Sequence, residues 1–310
     1  MKEKSFPYSD TGKRYHTFDY EMKKRFGGKC VKLPLDCGFT CPNRDGKKGI
    51  GGCTFCSARG GGEFAGTGAG ISEQLESAKR LIEGKWKAER FIAYFQAFTN
   101  TYTTVERLRV LCNEALRFPG VIGISIATRA DCINADMSRF LHELARSTFL
   151  TVELGLQTVH DITARRINRC HSYADFLKGY HELDGIERCV HLINGLPGES
   201  YEMMIESARE VASLLPDFLK IHLLHVIKGT AAAREYEEGL FRTLEYDEYI
   251  NTVCDQIELM PPETTIERLT GDGAAESLIA PLWSKDKRRV LNGIDKTLAA
   301  RGSWQGILFK

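Results

Sequence analysis

The stretch VIGISIATRADCINADMSRFLHELARSTFLTVELGLQ, residues 121–157, decides the fold. VIGISIAT (121–128) and FLTVELGLQ (149–157) are nearly continuous apolar runs, which marks strands buried on both faces. Between them, ADMSRFLHELARS (135–147) spaces its apolar residues three and four apart, the period of a helix. Strand, helix, strand in so short a span is a parallel crossover unit. The alternation continues on both sides. Upstream, VKLPLDC (31–37) and RFIAYFQAF (90–98) read as strands. SEQLESAKRLIEG (72–84) and VERLRVLCNEALRF (105–118) read as helices, capped by Ser72 and by Thr103 or Thr104. Downstream, RCVHLINGLPGE (188–199), FLKIHLLHVIKG (218–229) and TTIERLTG (264–271) are strands. YADFLKGYHELDG (173–185), YEMMIESAREVASLL (201–215) and YDEYINTVCDQIELM (246–260) are helices. About seven strands in this alternation predict an α/β fold, an open or complete parallel barrel covered by helices. Neither an internal repeat nor a long linker interrupts it, so one catalytic domain with N- and C-terminal extensions is the simplest organisation.

The first predicted strand runs into LDCGFTCPNRDGKKGIGGCTFC (35–56), with four cysteines in twenty residues: Cys37, Cys41, Cys53 and Cys56. Cys53 and Cys56 are spaced so that one turn can offer both thiolates to one metal. Glycines at 46, 49, 51 and 52 let the backbone wrap a bulky inorganic group. A tetrahedral zinc and an iron–sulfur cluster both suit this loop. In parallel α/β folds, ligands bind beyond the carboxyl ends of the strands. The chemically informative residues sit there: the cysteines, QAFTNTY (96–102), TRADC (128–132), ELGLQT (153–158) and NGLPGES (194–200). Five strand ends converging on one mouth favour a catalytic cluster over a peripheral zinc knuckle.

Composition narrows the class. No run of eighteen apolar residues exists, so no membrane helix is expected. MKEKSFPYSD lacks the apolar segment of a secretion signal, which predicts a cytoplasmic protein whose ten cysteines stay reduced. Most of Cys112, Cys132, Cys170, Cys189 and Cys254 then read as core filler. The net charge of +1 hides an uneven spread. Residues 1–32 hold nine Lys/Arg against four Asp/Glu, and residues 283–310 hold seven against two. Two basic ends suit a nucleic-acid surface only if they meet in space.

The ordered set GFTCPNRDG, GGCTFC, SIATRADC, ELGLQT, INRCH, INGLPGE, KIHLLHVIKGT, ERLTGD, APLWS, KRRVLNGIDK and SWQG resembles the radical S-adenosylmethionine (SAM) superfamily. More narrowly, it resembles the members related to the Elongator catalytic subunit and to the oxygen-independent coproporphyrinogen oxidases. The resemblance implies a partial (β/α)6-type parallel barrel over residues 30–271, between a basic extension at 1–29 and a C-terminal extension at 272–310. It implies a [4Fe–4S] cluster that cleaves SAM reductively to a 5′-deoxyadenosyl radical, with electrons from a donor such as flavodoxin or ferredoxin. Cys41, Cys53 and Cys56 match the cluster ligands. Eleven residues separate Cys41 from Cys53 where most of the superfamily has three, as in the Elongator-like relatives. Cys37 becomes a neighbouring thiol.

For SAM, the resemblance implies Glu153 and Gln157 at the ribose and Arg169 at the carboxylate. It places Ile193, Gly195, Leu196 and Pro197 at the adenine. The superfamily's Gly-Gly-Glu motif is replaced by QAFTNTY, so Thr99 and Asn100, or carbonyls near Ala97 and Phe98, are expected to take the amino group. GGGEF (60–64) is expected to be a flexible segment over the site. Arg129 and Asp131 are the expected catalytic, substrate-side pair. The implied substrate is tRNA, at the C5 substituent of the wobble uridine. A porphyrin-type small molecule is the alternative enzyme reading, and a structural zinc or iron–sulfur module the non-enzyme one.

Overall fold

The computed structural model describes residues 6–66, 70–83, 88–271 and 276–310. In chain order the elements are α1 (Phe18–Phe26), β1 (Cys30–Leu35), α2 (Ile71–Glu83), β2 (Arg90–Phe95), α3 (Val105–Leu116), β3 (Val121–Thr128), α4 (Ala135–Ser147) and β4 (Phe149–Gln157). There follow α5 (Asp161–Arg166), α6 (Tyr173–His181), β5 (Glu187–Asn194), α7 (Tyr201–Ser213), β6 (Phe218–Leu223), β7 (Val226–Ile227), α8 (Ala231–Glu237), α9 (Tyr246–Leu259), β8 (Thr265–Arg268), β9 (Leu278–Ala280) and α10 (Lys287–Ala300). Hydrogen-bonded neighbours in the main sheet run β1-β2-β3-β4-β5-β6-β8, the seven parallel strands read from the sequence.

The chain divides into two compact units. The first comprises residues 22–156 and 168–189. Its strands β1 to β4 pair in parallel, with Leu35 beside Phe95, Phe95 beside Ile126 and Ala127 beside Glu153. Their apolar runs are buried almost throughout, as expected of strands covered on both faces. Side-chain caps fix the helix starts. Thr104 accepts from the Arg107 amide, Asn134 from Met137, and Ser172 forms a capping box with Asp175. Ser72 is not a cap, because α2 already begins at Ile71; its amide and hydroxyl both bond Glu114 instead. The last residue expected of that helix, Gly84, lies outside the described residues, as do parts of the two expected extensions.

The second unit comprises residues 157–167 and 190–310 with the N-terminal segment up to Glu21. Here β6 and β8 pair in parallel, and β7 and β9 form a small antiparallel ribbon. The expected strand 188–199 stops at Asn194 because Gly195 turns the chain at φ 83°. The expected strand 218–229 breaks after Leu223, where the Leu224 amide bonds the Asn194 carbonyl. Within this unit the terminal segments meet. Lys13 pairs with Asp295, the Gln305 amide bonds the Arg14 carbonyl at 2.9 Å, and His16 N–H bonds Gln305 Oε1 at 2.8 Å. No described helix is long and apolar enough to cross a membrane.

Candidate active site

The eleven residues between Cys41 and Cys53 fold as a hairpin. Asp45 and Ile50 form an antiparallel bridge, and the Gly52 amide returns to the Asn43 carbonyl at 2.8 Å. Gly51 and Gly52 both sit at φ 82°, a left-handed turn that a side chain would strain. The hairpin thus brings Cys53 back towards Cys41, and Cys56 follows on a tight turn whose amide bonds the Cys53 carbonyl. The long spacing is a folded excursion, and the ligand set stays local.

Other strand-end loops of the same unit hold the hairpin. Asn43, wholly buried, donates from Nδ2 to the Asn168 carbonyl at 2.5 Å and to Cys53 Sγ at 3.6 Å. Asn168 answers from its own Nδ2, bonding the carbonyls of Gly52 (2.7 Å) and Ile50 (3.2 Å). Asn168 and Cys170 adopt φ of 54° and 60°, and Cys170 Sγ fills the space where a Gly49 side chain would stand. Tyr102 OH bonds Asp45 at 2.9 Å, and Lys48 pairs with Asp131 at 2.5 Å. Asn43 and Asn168 were not among the expected site residues. Their signal lay in CPNRDG and INRCH, where an asparagine sits beside each cysteine-bearing turn.

The three thiols share one electrostatic environment. Burial pushes Cys53 up to about 12, helped by Cys56 and Cys41 and opposed by the Arg129 guanidinium. Burial raises Cys56 too, against the charge and hydrogen bond of Arg44, whose Nη2 lies 3.4 Å from Cys56 Sγ. Cys53 and Cys56, raised in this way, do not ionise together without a strong cation beside them. Cys37 differs. It is buried, and its electrostatic neighbours are Cys112, Asp36, Arg107 and Glu114, with none of the other three thiols among them. Cys132 and Cys170 are only partly buried and lie beside this centre, so they are not the core filler that Cys112, Cys189 and Cys254 are.

Arg129 and Asp131 face each other. Arg129 makes two 2.9 Å bonds to the Asp131 carboxylate and donates from Nη1 to the Arg169 carbonyl at 2.8 Å. Burial opposes ionisation of Asp131, yet the bonds and charge of Arg129 outweigh it and hold the carboxyl at about 2. Arg169 itself is buried, with Nε on the His171 carbonyl at 3.1 Å and Nη1 on the Leu156 carbonyl. Glu153 is wholly buried and accepts from Lys32 (2.6 Å), Ser125 (2.5 Å) and Tyr94 (2.8 Å). Asn100 donates to the carbonyls of Phe95, Ala97 and Ala127, and its Oδ1 is buried with no hydrogen-bond partner among the described residues. The neighbouring Thr99 amide bonds the carbonyl of Thr40, next to Cys41. The GGGEF segment is not loose. Phe98 N bonds the Gly60 carbonyl at 3.0 Å, Gln96 bonds that of Gly61 at 2.7 Å, and a side chain on Gly62 would strike Ala97.

In the other unit, Gln157 ends β4 at φ 64° and Ile193 lies near the end of β5. Gly195, Leu196 and Pro197 form a buried turn. A reciprocal Asn194–Gln256 amide pair (2.8 and 2.9 Å) fixes its start, and Gly195 packs on Leu244.

His171 carries a pH prediction. It is buried, neither ring nitrogen has a hydrogen-bond partner among the described residues, and burial followed by the charge of Arg169 lowers it from 6.5 to about 3. As pH falls below 6.5 the unfolded chain binds a proton that the folded chain refuses, so stability declines through that window. His171→Gln should lose less thermal midpoint than the parent between pH 6.5 and 4. Equal losses would show that His171 does not set this acid sensitivity.

Residues 40–211 match the Radical SAM superfamily, and residues 216–300 match the Radical_SAM C-terminal domain. The chain belongs to the radical SAM superfamily. It is similar to "Uncharacterized protein YtqA" of Bacillus subtilis (strain 168), at 49% identity over 313 residues, covering 100% of this chain and 97% of that protein. Elongator complex protein 3 of Mus musculus is 29% identical over 160 residues, 50% of this chain and 29% of that protein. The tRNA uridine(34) acetyltransferase of Methanocaldococcus infernus is 26% identical over 163 residues, 51% of this chain and 30% of that protein. Among solved structures, the archaeal Methanocaldococcus infernus Elp3 with an N-terminal deletion aligns with a TM-score of 0.62 at 20% identity, covering 76% of this chain and 60% of that one. That likeness shows the fold, α/β with parallel strands and helices as in that protein. The protein is a radical SAM enzyme, and its cofactors are a [4Fe–4S] cluster and SAM.

The residues present fit these groups. Three soft thiols, partly exposed and flanked by two guanidinium groups, suit a thiolate-held cluster. The orphaned Asn100 Oδ1 suits an ammonium donor.

Proposed function

We propose that this enzyme modifies tRNA, at the C5 substituent of the wobble uridine. The observation that carries this reading is the likeness, over half the chain, to a protein named tRNA uridine(34) acetyltransferase. Two features of the molecule support it. Within one unit Lys13 and Arg14 of the N-terminal segment meet the C-terminal segment, and in the other unit α1 ends on the exposed Lys23, Lys24 and Arg25, the last paired with Glu187.

Cys41, Cys53 and Cys56 hold the cluster, and Cys37 does not. When bound, the cluster and SAM together supply a 5′-deoxyadenosyl radical that abstracts a substrate hydrogen. The protein's own residues do the positioning. Asn100 Oδ1 accepts from the SAM amino group, and its amide is fixed for that task by three carbonyls. Arg169 reads the SAM carboxylate, and Glu153 and Gln157 the ribose. Ile193, Gly195, Leu196 and Pro197 bound the adenine. Arg129 and Asp131, joined to each other and to Lys48, position the hairpin beside the ligands. Electrons come from a small donor such as flavodoxin or ferredoxin.

Modified-nucleoside profiling of tRNA from cells lacking the gene tests the reading. A wobble-uridine derivative should disappear and its precursor accumulate, and the gene carried on a plasmid should restore it. An unchanged profile would remove tRNA as the substrate.

A further inference from the structure

In the unit that contains β6 and β8, cationic groups gather at the carboxyl ends of these paired strands. Lys220 and Arg268 stand in register across the pair, His222 follows on β6, and His225 lies just beyond it. The His222 ring lies 5.2 Å from that of His191 on β5. Gly271, past the end of β8, brings bare backbone against the His225 ring, and a Cβ there would stand 3.0 Å from Cε1. Lys220 is matched by Glu267 at 2.8 Å. Nε2 of His222 and Nε2 of His225 are both buried, and neither has a hydrogen-bond partner among the described residues. A buried polar atom left unmatched costs stability, so two side by side point to a ligand.

The start of α10 adds a second observation. Lys287, Arg288 and Arg289 fill its first turn behind the N-cap Asp286, whose carboxylate accepts from the Arg289 amide at 3.0 Å. Three cations outnumber that one acid at a helix end whose macrodipole favours anions. Lys287 and Arg268 both act electrostatically on His225, and with burial, the larger effect, they lower it to about 4. His222 is likewise lowered by burial, then by His191, Arg268, Lys220 and His225. Every neighbour named in these two shifts is cationic or can become so.

We propose that His222, His225, Arg268 and Lys287 form a binding pocket for a phosphate group of the substrate. Imidazole, guanidinium and ammonium groups are all hydrogen-bond donors, and a phosphate presents to them several acceptor oxygens and up to two charges. The pocket rests on the enzyme reading given above and adds to it the anionic handle by which the substrate is held. That phosphate can belong to a polynucleotide or to a free nucleotide.

Binding measurements on the cluster-loaded full chain separate these cases. The probes are uridine 5′-monophosphate, uridine and an unmodified tRNA transcript, and the variants are Arg268→Gln and Lys287→Gln. Lys287 is exposed, so its replacement leaves the fold intact, and the thermal midpoint checks Arg268→Gln. Each variant should weaken a phosphate-bearing probe by about ten- to a hundredfold, the loss of one charge-assisted hydrogen bond. Uridine, which lacks the phosphate, should bind equally to parent and variants. A loss seen with tRNA assigns the phosphate to a polynucleotide. A loss seen with the mononucleotide while the parent ignores tRNA keeps the pocket and removes the tRNA reading. Folded variants that bind every probe as the parent does would overturn the pocket.

Discussion

Alanine at Cys41, Cys53 or Cys56 should abolish both the iron–sulfur absorbance of the reconstituted protein and reductive cleavage of SAM, while Cys37→Ala should keep both. Each of the three thiols feels the other two or a guanidinium beside them, and the hairpin brings them to one place. A site with three protein ligands has none to spare, because the remaining iron must stay open for SAM. Cys37 is buried among Cys112, Asp36, Arg107 and Glu114, and its carbonyl takes a bond from Arg107 at 3.4 Å. Anaerobic reconstitution with iron and sulfide counts, followed by SAM cleavage assays, reads the outcome directly. Absorbance retained in Cys41→Ala and lost in Cys37→Ala would move the first ligand to Cys37.

Glu153→Ala should cost far more than a cofactor contact. The carboxylate is wholly buried and is the partner of Lys32, whose side chain is itself 12% exposed. Removing it takes the carboxylate away from the Lys32 ammonium, which keeps its 3.1 Å bond to Ser125 Oγ, and from the Tyr94 and Ser125 hydroxyls that donate to it. Breaking a buried pair from one side costs roughly 3–5 kcal/mol, a fall of about 5–8 °C in thermal midpoint for a chain of this size. Pairing Glu153→Gln with Lys32→Met should recover most of the loss, because both charges of the buried pair then go together. A Glu153→Ala protein that melts like the parent but binds SAM weakly would overturn this and leave the carboxylate a ligand contact alone.

These two cases show what a sequence carries and what it withholds. Strands 121–128 and 149–157 and helix 135–147 were legible to the residue, because burial on both faces and a helical period each leave a dense local pattern. The cysteine loop was legible as a soft-metal loop, because thiol spacing is itself local chemistry. The α5 and α8 helices were not, being only six and seven residues long. In α10 the stripe Val290, Ile294, Leu298 is present, but it falls beyond the last expected strand and was absorbed into an extension. Partnerships were the least legible. Glu153 reads as a polar residue on an apolar strand, and the sequence does not show that Lys32, 121 positions away, is its partner. Arg129 and Asp131 read as two groups open to substrate, whereas in the fold they bond each other. Asn43 and Asn168 each stand beside a cysteine-bearing turn, but neither local pattern announces that the two meet across 125 positions to close the hairpin.

The clasp between Asn43 and Asn168 also sets a timetable. The cysteines leave the ribosome early, but the asparagine that holds their hairpin shut is made more than a hundred residues later. At about 5–20 residues per second, translation leaves an interval of roughly 6–20 s in which the thiols are out and the clasp is not. During that interval the nascent segment is an open, reduced loop that any thiophilic ion can reach. If delivery of iron and sulfide waits for the clasp, it follows synthesis of the fourth strand and the turn after it, so the maturation machinery meets four strands of the sheet instead of an emerging peptide.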